Sequence, residues 1–184
     1  MEQPVTGLLK DISLVKTSKD ISILLQLIGL ALIFSILGPK WSIITHPAWI
    51  CIVTLIPMVI IHEGLHGLFF WFWSKKVKFG HMFSSLGPSF YAAALGKKFS
   101  RNRFIVIALI PQILTVICLG LALSLPLIPW VEAFLLCTAA FNLGGGVGDF
   151  YVVFNLFRFP KTVMVEDYIG GVKIYSGEIS AVLP

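Results

Sequence analysis

The alternation of apolar and polar positions divides the chain into four long apolar runs joined by shorter polar connections. Residues 21–38 carry no charge over 18 positions, just enough for a helix to cross a hydrocarbon core. A signal peptide would need a shorter apolar centre and a small-residue cleavage site; neither is clear, so this run reads as a retained helix. Gly38-Pro39 ends it, and a short connection through Lys40 and Pro47 leads to a second run, 48–73, with Pro57 placed to kink it. The third run, 104–125, contains Pro111, and 126–129 forms a tight uncharged turn. The fourth, 130–157, contains Asn142-Leu143-Gly144-Gly145-Gly146-Val147-Gly148-Asp149. Each glycine costs a helix about 1 kcal/mol relative to alanine, so this segment predicts a broken helix or a very close approach to another helix.

Two stretches do not follow the helical pattern. Within 74–103, the pieces 77–83 and 90–95 flank Ser84-Ser85-Leu86-Gly87-Pro88-Ser89, which is rich in turn formers. The alternation is imperfect, and the segment admits either a β-hairpin or a re-entrant loop. In the tail, 163–168 and 172–176 around Gly170-Gly171 read as a small two-stranded hairpin on a soluble appendage. The predicted fold is an all-α polytopic membrane protein with about four transmembrane helices, a hairpin between helices two and three and a small C-terminal hairpin.

Composition supports lipid as the solvent. Of the 184 residues 57% are hydrophobic and 12% charged, against about 25% charged in a soluble domain, an apolar excess too large for one core to bury. The net charge of +5 is spread over connections without a basic–aromatic pattern, which excludes nucleic acid as the expected partner. Cys51, Cys118 and Cys137 lie in apolar segments without a C-x-x-C pair and read as packing residues.

Charge also sets topology. The 74–103 connection holds Lys75, Lys76, Lys78, Lys97, Lys98, Arg101 and Arg103 and no acidic residue, whereas Lys40 is the single charge of the first connection. Positive charge favours the cytoplasmic side, which places that connection and both termini in the cytoplasm. Lys10, Lys16, Lys19, Arg158 and Lys161 agree, as do Trp41, Trp49 and Trp130 at one interface and Trp71 and Trp73 at the other. The division is a cytoplasmic N-terminal segment (1–20), a membrane-embedded four-helix catalytic domain (21–159) and a cytoplasmic C-terminal tail (160–184).

The chemistry concentrates in His62-Glu63-Gly64-Leu65-His66, inside the second run. Residues four apart share one helix face, so the two imidazoles can hold one tetrahedral Zn²⁺ with room for a third protein ligand and a water. Glu63 lies beside them, where its carboxylate can take a proton from that water. Chance H-E-x-x-H matches are common in soluble chains, but polar and ionisable groups within a membrane segment are expensive and mark function by default.

Depth points to the third ligand. Helices two and four run in the same direction; His66 is 18 residues from Ala48, and Asp149 is 18 residues from Val131. At about 1.5 Å per residue they reach nearly the same level, toward the cytoplasmic face. The alternative is an ion pair between Asp149 and Arg158, but Arg158 lies two and a half turns further along the same helix, and a lone buried carboxylate would protonate. Among weaker candidates, His81 reads as a solvated loop histidine or as a substrate or proton-transfer residue. Asn142 can bond a substrate backbone or a helix neighbour. His46 reads as interfacial, and Glu166 and Asp167 as solvated tail carboxylates.

These residues, with Phe79-Gly80, 101–111, Asn142 through Asp149, Phe159-Pro160-Lys161 and Asp167, resemble the bacterial "Putative zincin peptidase" membrane family over about 48–175. More distantly the plan is similar to site-2-type intramembrane metalloproteases, although their aspartate is usually followed by glycine and Asp149 is followed by Phe150. The resemblance implies His62, His66 and Asp149 as zinc ligands, Glu63 as catalytic acid/base, and a multi-pass protein of the bacterial cytoplasmic membrane. The expected activity is hydrolysis of peptide bonds in membrane protein or peptide substrates at or within the bilayer, with the hairpin holding extended substrate by strand addition. Two other classes stay open: a zinc hydrolase of lipids or small amides, and a non-catalytic metal-binding or transport protein.

Overall fold

The computed structural model describes residues 7–14, 19–38, 48–84 and 87–177. Lys16, Lys40, Trp41, His46 and the tip of the 84–89 turn at 85–86 lie outside these residues. The elements in chain order are β1 (Leu8–Ser13), α1 (Lys19–Leu37), α2 (Ala48–Ser74), β2 (Lys78–Ser84), β3 (Gly87–Ala93), β4 (Lys98–Ser100), α3 (Arg101–Leu109), α4 (Gln112–Ser124), α5 (Pro129–Gly145), α6 (Val147–Leu156), β5 (Met164–Tyr168) and β6 (Gly171–Tyr175).

The four apolar runs form the helices, and prolines and glycines decide where these break. Asp20–Leu37, Ile52–Ser74 and Arg101–Ser124 are each long and apolar enough to cross a membrane. Pro129–Gly145 and Val147–Leu156 make a fourth span if taken together, bent by 42°. That bend is the break the glycine run predicts, and close approach occurs as well. A Cβ on Gly144 would lie 2.7 Å from the Gly29 carbonyl oxygen, so only glycine lets α5 sit this tightly on α1. α2 runs unbroken through Pro57. Outward-facing Leu27, Ile52, Ile56, Ile60, Val116 and Leu123 are all more than half exposed, an apolar surface suited to lipid rather than water.

The all-α expectation is corrected by two sheets. β2 and β3 form the hairpin anticipated between the second and third helices, with His81 opposite Phe90. It docks on α2 where Gly67 leaves room for the Phe79 ring, since a Cβ there would lie 2.3 Å from the ring edge. β5 and β6 form the expected C-terminal hairpin around Gly170. That hairpin is not an appendage, because it sits inside a four-stranded antiparallel sheet of order β1-β6-β5-β4. Ile12, Phe99, Val165 and Ile174 of this sheet share one core with Phe70 of α2, Phe104 of α3 and Val152 of α6.

The sheet joins the segment before α1, the end of the α2–α3 connection and the tail, so all three lie at one end of the helices. Arg101 ties this end together: its backbone N–H donates to the Val163 carbonyl, and its buried guanidinium donates to the Phe159 carbonyl at 2.6 Å. Trp71, with Lys75 Nζ 4.1 Å from its ring centroid, closes α2 at the same end.

Candidate metal centre

His62 and His66 stand on consecutive turns of α2, both buried, with ring centroids 4.9 Å apart. Asp149 comes from the first turn of α6, immediately after the glycine break. The break aims the start of α6 at α2 and sets the carboxylate at the positive end of that helix. Asp149 Oδ2 lies 3.3 Å from His62 Nε2 and 3.5 Å from His66 Nε2. Arg158 is elsewhere, over the Phe154 ring, so the alternative pairing with Asp149 does not form.

The opposite ring nitrogens are both occupied. His62 Nδ1 is 2.9 Å from Asn142 Oδ1, and His66 Nδ1 is 2.8 Å from the Ile107 carbonyl oxygen. Both partners accept, so each imidazole carries a proton on Nδ1 and presents Nε2, the nitrogen left to ligate a metal, toward Asp149. Asn142 is fully buried, and its amide nitrogen donates to the Pro111 carbonyl at 3.0 Å and to Thr115 Oγ1 at 2.8 Å. Its side chain is committed to holding His62, the helix-neighbour option of the sequence reading.

This donor set fits a metal ion. One ligand atom each from His62, His66 and Asp149 lie within 4.8 Å of one another. A tetrahedral zinc with bonds of about 2.0–2.1 Å separates neighbouring ligand atoms by roughly 3.4 Å, close to the two histidine–aspartate distances. Two imidazoles and one carboxylate also match the protein ligands of catalytic zinc sites, which keep a fourth position open.

The three residues line a cavity of about 640 Å³ together with Glu63. Its walls are α1, α2, α3, α5, α6, the hairpin, chiefly β3, and the β5–β6 turn. The backbone N–H of Ala92 in β3 hydrogen-bonds the Glu63 carboxylate, orienting it within the cavity. His81 is exposed on β2, away from the cavity lining.

Asp167 is the residue the sequence reading placed wrongly. It is 7% exposed, lines the same cavity and accepts the Ala94 N–H through Oδ2 at 2.9 Å. Burial pushes its carboxyl up to about 7, against the lowering effect of that hydrogen bond. Glu166, by contrast, sits on the sheet between Lys98 and Lys173, as an ordinary surface carboxylate does.

A family model described as "Putative zincin peptidase" matches residues 55–164, from before the first histidine to the start of β5. The chain belongs to this family. No curated protein and no solved structure matches the chain. The family description implies zinc and peptidase chemistry, and the matched stretch contains the whole His62, His66 and Asp149 group.

Proposed function

We propose that this protein is a membrane-embedded zinc metallopeptidase that hydrolyses peptide bonds at or within the bilayer. The observation that carries this reading is the convergence of His62 Nε2, His66 Nε2 and Asp149 Oδ2, with Glu63 in the same cavity. Zinc held by these three would supply Lewis acidity at the scissile carbonyl and make a water molecule acidic enough to lose its proton near neutral pH. Glu63 accepts that proton and returns it to the leaving amine, the Ala92 N–H keeping its carboxylate turned into the cavity until substrate arrives. Asn142 and the Ile107 carbonyl hold the imidazoles in the ligating tautomer throughout.

Substrate reaches the site as extended chain. Hydrolysis requires an exposed peptide bond, and β3 lines the cavity from Pro88 to Ala93 while its other edge pairs with β2. An extended substrate segment can add as a further strand on that open edge. The protein is placed in the bacterial cytoplasmic membrane, with both termini and the α2–α3 connection cytoplasmic. The shared sheet supports one side for all three, and the lysine- and arginine-rich connection supports the cytoplasm. The domain limits follow: a membrane-embedded catalytic unit over 21–159, with 1–20 and 160–184 on the cytoplasmic face.

Three protein ligands, rather than four, among the described residues favour an open catalytic position over a closed structural site. The test is metal analysis of the purified protein with alanine in turn at His62, His66 and Asp149, alongside cleavage of an unstructured protein with and without chelator. One zinc per chain, lost in each variant together with chelator-sensitive cleavage, is the expected result. Full zinc retention in Asp149→Ala would remove it from the ligand set.

A further inference from the structure

The cavity-facing edge of β3 is already engaged at two points, and both partners are carboxylates from other elements. Ala92 donates its N–H to Glu63 of α2, and Ala94 donates its N–H to Asp167 of β5. Residues two apart in extended chain direct their N–H groups to the same edge; Ala92 lies in β3 and Ala94 directly follows it, so both donate on the side away from β2. Phe90 has the same parity, and so does Pro88, which lacks an N–H and costs the β2–β3 ladder nothing there. The open edge therefore runs past the metal centre and ends at Ala94, under Asp167.

The two carboxylates differ in how firmly they are placed. Glu63 is held at the strand by the Ala92 N–H, and when an incoming substrate carbonyl takes that N–H the carboxylate is released to serve the attacking water. Asp167 is locked at both backbone and side chain: its own N–H donates to the Lys97 carbonyl at 3.4 Å, while its Oδ2 accepts from Ala94. Lys97 N–H in turn donates to the Ala94 carbonyl at 3.0 Å, closing the turn that follows β3. A carboxylate buried against a strand end, with no basic side chain within ion-pair distance among the described residues, is costly unless it has a task.

We propose that Asp167 is a positioning residue for the substrate: it caps the open edge of β3 at Ala94 and thereby sets the register in which an extended peptide pairs beside the metal centre. This rests on the peptidase reading and deepens it. With Ala94 capped, the last N–H that a substrate can use is that of Ala92, beside Glu63. With the cap removed the ladder gains one more donor. A strand slips most readily by two residues, because a slip of one turns every side chain to the opposite face. The bond presented for hydrolysis moves by the same two residues.

The test compares wild type, Asp167→Ala and Asp167→Asn as full-length, zinc-loaded protein in detergent micelles. β-Casein serves as the extended probe, and cleaved bonds are mapped by mass spectrometry. Amide hydrogen exchange at Ala94, zinc content and thermal midpoint are read on the same preparations. Asp167→Ala is expected to keep its zinc and midpoint, to exchange the Ala94 amide roughly tenfold faster or more, and to gain products displaced by two residues. Asp167→Asn keeps an acceptor oxygen and is expected to cut as wild type does. Wild-type cut sites in Asp167→Ala, or displaced cut sites in Asp167→Asn, overturn the proposal. Loss of zinc or of fold in either variant makes Asp167 a structural brace and overturns it too. A wild-type protein that binds zinc and cuts no peptide sinks the peptidase reading itself, an outcome distinct from these.

Discussion

His66 is held by the carbonyl of Ile107, 2.8 Å from its Nδ1, and that carbonyl is available because the residue four positions later is Pro111. In an uninterrupted helix the N–H of residue 111 would take the Ile107 oxygen; proline has none. Ile110 and Pro111 keep helical dihedrals, so α3 and α4 pass through the gap almost without a turn. The Pro111 carbonyl contributes a second time, accepting from the Asn142 amide that holds His62. One proline thus supports both histidines.

Replacing Pro111 with alanine restores a backbone donor that competes with His66 for the Ile107 oxygen. Zinc affinity should fall by about 10–100-fold, the usual effect of losing a partner behind a metal-bound histidine. The thermal midpoint should not fall, since alanine suits a helix better than proline. Competition with a chelating dye measures the first and a melting curve the second. Unchanged zinc affinity would show that the proline has no part in orienting His66.

Topology has its own check. Single cysteines near Lys97 should be shielded from a membrane-impermeant thiol reagent added to intact cells, and cysteines near Lys40 should be reached. The shared sheet requires a cysteine introduced near Lys173 to behave like one near Lys97. Labelling of the two from opposite faces would contradict the fold, and labelling of both from outside would reverse only the orientation.

The raised carboxyl of Asp167 makes stability depend on pH in a defined direction. Its folded value is about 7, against about 3.9 in an unfolded chain. Between those limits the folded protein keeps a proton that the unfolded chain has released. The contribution is therefore fully present below about pH 4 and is lost as the pH rises toward 7. In metal-free protein, the thermal midpoint of wild type should decline relative to Asp167→Asn across that window and run parallel to it above. A constant difference from pH 4 to 8 would place the Asp167 carboxyl in its ordinary range.

The parts of the site that were legible in the sequence are those fixed by helix geometry. His62, Glu63 and His66 follow from spacing alone, and Asp149 from equal depth in two helices running the same way, a relation the 42° bend at the glycines does not destroy. What holds these residues was harder to read. Asn142 admits many partners until the packing of α5 on α2 is known, and the Ile107 carbonyl is backbone, announced only by Pro111 four residues on. Asp167 looked solvated because a two-stranded hairpin would leave it so; burial comes from β4 and the Ala94 turn joining that hairpin. β1 and β4 escaped for a related reason. Strands of six and three residues lack a clear period of two, and they exist because β5 and β6 offer edges to pair with.

Glu63 offers the most direct test of the central claim, because it sits beside the metal ligands without belonging to their converging group. Glutamine there keeps the shape and can still bond a water molecule, but it cannot take a proton. Zinc content and cleavage rate of Glu63→Gln, measured on one preparation, separate a peptidase from a metal-storing or structural protein. The account predicts wild-type zinc and a loss of turnover of roughly 10²–10⁴-fold. Bound zinc with undiminished cleavage would contradict it.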